Sequence, residues 1–397
     1  MKLSTLKESL VTLDGVLLGV VLILLVFGVL MVGSASLSVS DVRYGDPFRI
    51  IGHWLVYIPL GLLLMWWVSR VEPAMWKAAC LPLLLLILFL MTLVLGFGLR
   101  INGATRWFSL FGLTLQPVEF LKPVVIAYMA YYVSSFPDRL HQFAAGLAPM
   151  LVVLGISCAL LMLQPDFGNT ILLTAVCFAI WLLGGVPIRH LIGTALTVIP
   201  LAAIAMVAEP YRMKRLMSFL DPWADPFGSG YQLIQSMLAF GSGGLTGLGL
   251  GQGVQKLFYL PESFTDFIAA VIAEELGLFG TLLLIALFAV LMLRGWQLSG
   301  QCDHAFERLL AMGCTLMIGF SFIINVAAVT GLIPTKGIPI PFVSYGGSAL
   351  FGNCILVGLL LGIHRHHVLH GDRSNRKPDG WARKISRGTL SQQEIKV

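Results

Sequence analysis

Charge is what this chain has least of. Lys, Arg, Asp and Glu together make up 12% of its 397 residues, about half the roughly 25% usual in a soluble domain. With 57% of residues hydrophobic, that shortage excludes a soluble globular protein. Cysteine is also sparse. Of the six, Cys80, Cys158, Cys177, Cys314 and Cys354 lie in apolar runs, and none has CxxC spacing, so neither a disulfide framework nor a zinc site is signalled. The glycines at 241, 243, 244, 247, 249, 251 and 253 do not form GxGxxG after a strand, which rejects a dinucleotide site. No compact metal-ligand cluster is visible, so no cofactor is evident, and a divalent cation is left open without being signalled. No nucleic-acid partner is expected.

Long apolar runs are what the chain has instead. About 20 apolar residues cross a bilayer, and ten such runs recur at about 12–33, 50–70, 77–97, 117–135, 145–163, 169–186, 188–208, 265–293, 309–331 and 345–364. The expected fold is therefore an all-α polytopic membrane protein with ten transmembrane helices. One short break, at Gly184, Gly185 and Pro187, decides the count. Reading across it as one helix would invert everything downstream. The first run is longer than the roughly 7–15 residues of a signal-peptide core, and reads as an uncleaved first helix despite the small residues of GSAS at 33–36.

Lys and Arg concentrate on the cytoplasmic side of membrane proteins. Placing both termini in the cytoplasm puts Lys2, Lys7, Arg70, Lys77, Arg139, Arg189, Arg294 and Arg308 there. Three regions result: a cytoplasmic amino-terminal tail, 1–11, a membrane domain, 12–364, and a basic cytoplasmic tail, 365–397. That tail reads as a solvated topogenic anchor near anionic lipid. The opposite face receives the loops near 34–49, 98–116, 164–168 and 332–344, and a long loop over 209–264 between helices 7 and 8. A long connection without linker composition usually carries function.

Within that loop, PYRMKRLMSFLDPWADPFGSGYQ brings Arg212, Lys214 and Arg215 before two Asp-Pro pairs. Guanidinium groups suit phosphate oxygens, although an amphipathic segment on lipid headgroups fits the composition equally. Lys256 follows the glycine-rich stretch. Arg106 lies in NGATRWF, which starts at Asn102, and Glu119 and Lys122 share one helical face after Pro117. Gln164, Pro165 and Asp166 form a very short outer turn. PTKGIPIPFVSYGGS, with Ser344 and Gly346, runs from a proline-broken loop into a glycine-rich helix start. Broken backbone at membrane depth is tolerated only where protein covers it or a wet cavity borders it, which hints at an outward-opening pocket.

The stretch LPESFTDFIAAVIAEELG carries Glu262, Asp266, Glu274 and Glu275, four of only 20 acids. Ser263 and Asp266 fit a helix capping box, so a purely structural Asp266 is one reading. The other places it where an outer pocket, a basic loop and the membrane surface meet. Glu274 and Glu275 lie about 12–13 Å further along a regular helix, deep enough that paired, inward-facing roles are expected.

GATRWF, LQPDFG, PYRMKRLMSFLDPWADPFGSGYQ, VQKLFYLPESFTDFIAAVIAEELG and TKGIPIPFVSYGGS together resemble the SEDS family (shape, elongation, division and sporulation), and its division member more than its elongation member. The likeness runs from the first helix to about His364. It implies a ten-helix peptidoglycan glycosyltransferase of the bacterial inner membrane at the division septum. Such an enzyme polymerises lipid II beside a class B penicillin-binding protein and other division proteins. The family's catalytic aspartate falls at Asp266. Phe264 stands where the family usually has His, and Val118 where it usually has Ser.

A lipid-linked sugar diphosphate needs an activated acceptor hydroxyl and a neutralised leaving group. Asp266 is the candidate base for a GlcNAc 4-hydroxyl attacking MurNAc with inversion. Arg212, Lys214, Arg215, Lys256, Arg106 and Lys122 are candidates to hold the diphosphate, and Glu119, Ser344 and Gly346 complete the substrate-binding set. A helix start would lower the pKa of Asp266 and desolvation would raise it, with the net sign open. A flippase for the same lipid and a non-catalytic division scaffold are the rival functions.

Overall fold

The structure is a computed structural model that describes residues 13–374, apart from 102, 111–112 and 208–209. Ten of its helices correspond one for one to the ten apolar runs. They are α1 (Gly15–Tyr44), α2 (Arg49–Val68), α3 (Pro73–Phe97), α4 (Pro117–Ser135), α5 (Ala148–Leu163), α6 (Phe167–Leu183), α7 (Ile188–Val207), α10 (Ile268–Gln301), α11 (Ala305–Val329) and α12 (Gly347–Ser374). Two more, α8 (Pro210–Leu220) and α9 (Tyr231–Gly243), fold inside the long loop. Among the described residues seven helices are long and apolar enough to cross a membrane, and α6 and α7 are shorter apolar helices. The chain is a multi-pass membrane protein.

Local chemistry sets the boundaries. Asp14 caps α1 by accepting from the amides of Val16 (3.1 Å) and Leu17 (3.0 Å), which satisfies donors left free at a helix start. The helix runs to Tyr44, well past the expected end at 33, and stops at Gly45 in the left-handed region. The break between α6 and α7 is real. Gly185 turns the chain with φ 86°, and ten segments result rather than nine.

Burial orders the bundle. In α11 and α12, 72% and 78% of the most apolar stretch is buried, against 28% in α2 and α3. The first two therefore form the centre, together with α4, whose Val118–Ala130 stretch is enclosed except at Phe120. That enclosure explains how α4 can carry Glu119 and Lys122. At the other extreme α7 buries only Leu191 and Thr194 among its described side chains, so its remaining length faces outward.

Residues assigned to the cytoplasmic side meet at one end of the bundle. Arg294 Nε at the end of α10 lies 2.6 Å from Asp14 Oδ2, and His364 Nδ1 of α12 lies 3.9 Å from the same oxygen. The opposite end holds what a helix-only reading does not foresee. The 98–116 connection is a three-stranded antiparallel sheet, β1 (Leu99–Ile101), β2 (Ala104–Leu110) and β3 (Leu113–Leu115), in order β1-β2-β3. Its register pairs Arg100 with Thr105 and Phe108 with Leu115. Asn102, Glu209, the amino-terminal lysines and the tail beyond 374 lie outside the described residues.

Candidate functional site

Asp266 occupies the turn that delivers the chain into α10. It does not cap that helix. The N-cap position is Phe267, without a side-chain cap, so the Ser263–Asp266 box suggested by the sequence is not formed. The main chain of Asp266 is tied down instead: the Asn325 side-chain amide of α11 donates 2.8 Å to its carbonyl and 2.7 Å to that of Ile338. Among the described residues nothing donates a hydrogen bond to the carboxylate. Its surface is only partly covered, yet it is surrounded by enough protein for desolvation to govern its titration.

That desolvation, reinforced by Glu262 and opposed by Arg215 and Arg106, with a smaller upward push from Asp166, raises Asp266 from 3.8 to about 7. The net sign left open by the sequence is therefore upward. A carboxyl near pH 7 exchanges protons readily at physiological pH, which is the property a general base needs.

The surrounding cations are held by the outer turns. Arg106 of β2 donates its Nε to the Gln164 carbonyl at 2.8 Å and an Nη to the Pro165 carbonyl, and its other Nη lies 3.8 Å from Asp166. Asp166 caps α6, accepting from the Asn169 amide at 3.2 Å. Arg215 of α8 donates to the Thr335 carbonyl at 3.2 Å. The segment Pro334–Tyr345 thus lies between Arg215 and Asp266. It approaches so closely that a Cβ at Gly337 would sit 3.1 Å from Asp266 Oδ2. One residue earlier, the Lys336 ammonium lies 5.7 Å from the Phe167 ring centre, and burial lowers its pKa.

Phe264 packs its ring 5.8 Å from Tyr345, which in turn lies 5.6 Å from Trp54. The Phe264 carbonyl also accepts from the Tyr345 amide at 2.9 Å. An aromatic contact and a backbone bond thus join this turn to the start of α12, and Phe264 itself carries no proton.

Other residues expected at the site are engaged in contacts of their own. Glu119 and Lys122 pair at 2.7 Å within α4, with Gly352 of α12 packed against the Glu119 backbone. Lys256 is buried in a 2.6 Å ion pair with Glu275. Ser344 closes its own turn by accepting from the Ile340 amide at 2.9 Å, and Gly346 accepts from the Leu350 amide as α12 begins. Lys214 is exposed, and the side chain of Arg212 lies outside the described residues. Residue-type reasoning passed over Asn325, a lone amide in an apolar run, and gave no role to Lys336, although its TKG setting had been singled out. Among the described residues no group of three or more His, Cys, Asp or Glu is placed to hold a metal ion.

A ten-segment helical membrane protein with a carboxyl raised to about 7 beside two arginines, in the turns at one end of its helices, defines a class of membrane-embedded proteins with a titratable site at one end of the bundle. Comparison with known proteins narrows it. The family model described as cell cycle protein, covering FtsW, RodA and SpoVE, matches residues 15–369. "Probable peptidoglycan glycosyltransferase FtsW" of Coxiella burnetii is 44% identical over 346 residues, covering 86% of this chain and 93% of that protein. The protein of the same description from Legionella pneumophila is 39% identical over 355 residues, 88% of this chain and 90% of its own. Among solved structures, a chain from "Structural coordination of polymerization and crosslinking by a peptidoglycan synthase complex" superposes with a TM-score of 0.75 at 30% identity, covering 89% of this chain and 98% of its own. The rod shape determining protein RodA of Thermus thermophilus gives 0.66 at 26% identity, covering 89% and 97%. The chain belongs to the SEDS family and is FtsW-like within it.

Proposed function

We propose that this protein is the peptidoglycan glycosyltransferase of septal wall synthesis, polymerising lipid II at the outer surface of the bacterial inner membrane. The observation that carries the reading is Asp266: a carboxylate with no hydrogen-bond donor among the described residues, raised to about 7, beside Arg106 and Arg215. In this reading the acceptor GlcNAc O4–H gives its proton to the Asp266 carboxylate as O4 bonds to the anomeric carbon of the donor MurNAc. The bond from that carbon to the diphosphate oxygen breaks, the electron pair leaves with the lipid diphosphate, and the configuration inverts. Arg106, Arg215 and Lys336 supply positive charge for the leaving group. The substrate's lipid keeps the reaction at the bilayer edge, where Asp266 lies.

Transport through the bundle finds less support. The buried carboxylates of Glu119 and Glu275 are each closed by a lysine, and that of Glu274 by the amides of Val254 and Gln255. The coupling of polymerisation to crosslinking named for the solved complex supports a class B penicillin-binding protein as partner, with other division proteins around it. The test is purified protein and that transpeptidase with labelled lipid II. The reading requires muramidase-sensitive polymer with β-linkages. Lipid II moved across vesicles without any polymer would replace it with transport, and neither outcome would leave a scaffold.

A further inference from the structure

Helix α10 is broken where it carries its two glutamates. Gly277 has φ 65° and ψ −157°, and the outer piece, Ile268–Leu276, starts two residues after Asp266. Backbone groups freed by a break at membrane depth need partners. The glycine-rich segment supplies them. The amides of Leu248 and Gly249 donate to the carbonyls of Glu274 and Glu275, both at 3.0 Å, and those of Leu278 and Phe279 donate to Gly244 and Leu245 at 3.0 and 3.3 Å. Side chains at this contact are sterically barred, since a Cβ at Gly247 would lie 2.2 Å from the Glu275 carbonyl and one at Gly277 2.4 Å from the Gly247 amide.

The two carboxylates then fasten the next residues. Glu274 accepts from the amides of Val254 (2.9 Å) and Gln255 (3.2 Å). Glu275 accepts from the Gly251 amide (3.1 Å), the Lys256 ammonium (2.6 Å) and the Ser34 hydroxyl of α1 (2.8 Å), and Lys256 also donates to Ser34 at 2.7 Å. Glu275 is 0% exposed. Lys256 opens the stretch that ends at Asp266, so the clasp fixes one end of that stretch and Asn325 fixes the other. A buried ion pair is weak support for stability in itself, because desolvation offsets the attraction. Its value here is geometric.

We infer that Glu275, through Lys256, is a positioning residue for the reaction at Asp266, holding the outer half-helix and the 256–266 stretch in one register across the Gly277 break. The inference rests on the reading of Asp266 as the base. A catalytic group displaced by about 1 Å loses on the order of a hundredfold in rate, and partners in one network are not additive. The experiment combines kinetics with a distance. In the transpeptidase complex, Glu275→Gln and Lys256→Met each lower kcat about 10- to 100-fold with KM within about twofold, and the double variant is no worse than the poorer single one. Should Glu275→Gln fail to fold, Glu275→Met with Lys256→Met, which leaves no buried charge, takes its place. Spin labels at Tyr259→Cys and Leu332→Cys, with Cys158→Ala, give a distance distribution that broadens in Glu275→Gln and stays narrow in Asp266→Asn. Unchanged kcat, multiplicative losses or a narrow distribution in Glu275→Gln each overturn the inference. Full polymerisation by Asp266→Asn, a variant with the clasp intact, instead removes the reading on which it rests.

Discussion

The side-chain amide of Asn325 bridges Asp266 and Ile338, donating 2.8 Å to one carbonyl and 2.7 Å to the other. It thereby ties the turn before α10 to the proline-rich segment that carries Lys336 and Gly337. Neither carbonyl has a regular helix or strand partner at these positions, so one amide group sets the spacing of the two halves of the site.

Asn325→Leu keeps the branched shape and removes both donors. A buried polar group left unpaired costs about 1–3 kcal/mol, and loss of register at Asp266 adds a kinetic effect. The expected outcome is a lower unfolding midpoint in detergent together with a fall in turnover of about tenfold or more. Unchanged turnover with a lowered midpoint would confine Asn325 to stability.

The pH profile follows from Asp266. As a base it must be ionised, so the polymerisation rate rises through pH 7, is half its plateau near 7, and is about tenfold lower one unit below. Lys336 sets the alkaline side, since its lowered pKa removes its charge before an ordinary lysine would lose it. The stability sign is opposite. A carboxyl whose folded pKa exceeds its unfolded value favours the protonated fold, so the contribution of Asp266 to stability is greatest below about 3.8 and falls as pH rises to 7. Asp266→Asn therefore raises the unfolding midpoint, most at pH 7 and above, with the gain shrinking toward pH 4.

Lys336→Gln tests the leaving-group charge. Its ammonium lies close to protein on the Phe167 side and has no carboxylate within ion-pair distance among the described residues. The substitution is expected to lower kcat about 100- to 1,000-fold, in the range seen for loss of one electrostatic stabiliser, with little change in stability. A loss of stability without a kinetic effect would reassign Lys336 to packing.

Lys122→Met separates structure from chemistry. It leaves Glu119 buried without its partner at 2.7 Å, and breaking a buried pair costs about 3–5 kcal/mol. Adding Glu119→Gln removes the stranded charge and is expected to restore most of the midpoint. Failure of the second change to rescue would point to a direct role for Glu119 in binding.

The ten helices were legible because a membrane span must be long and apolar, and only the sharp turn at Gly184 to Pro187 needed judgement. The sheet over Leu99–Leu115 was not, since its short strands are interrupted by glycine and do not alternate clearly between apolar and polar residues. At the site, Asp266 and Arg106 could be named from residue type and place. Lys256 could not be assigned correctly, because its partner Glu275 lies a helical stretch away and only the fold at Gly277 brings the glycine-rich segment onto it. Asn325 gave no signal beyond being polar in an apolar run.

Polymerisation of labelled lipid II by Asp266→Asn, purified with its transpeptidase and shown to be folded by its elution and unfolding midpoint, tests the account most directly. Polymer should fall by a factor of about a thousand or more, the range expected when a general base is removed, while partner binding persists. Polymer at the wild-type rate would contradict it.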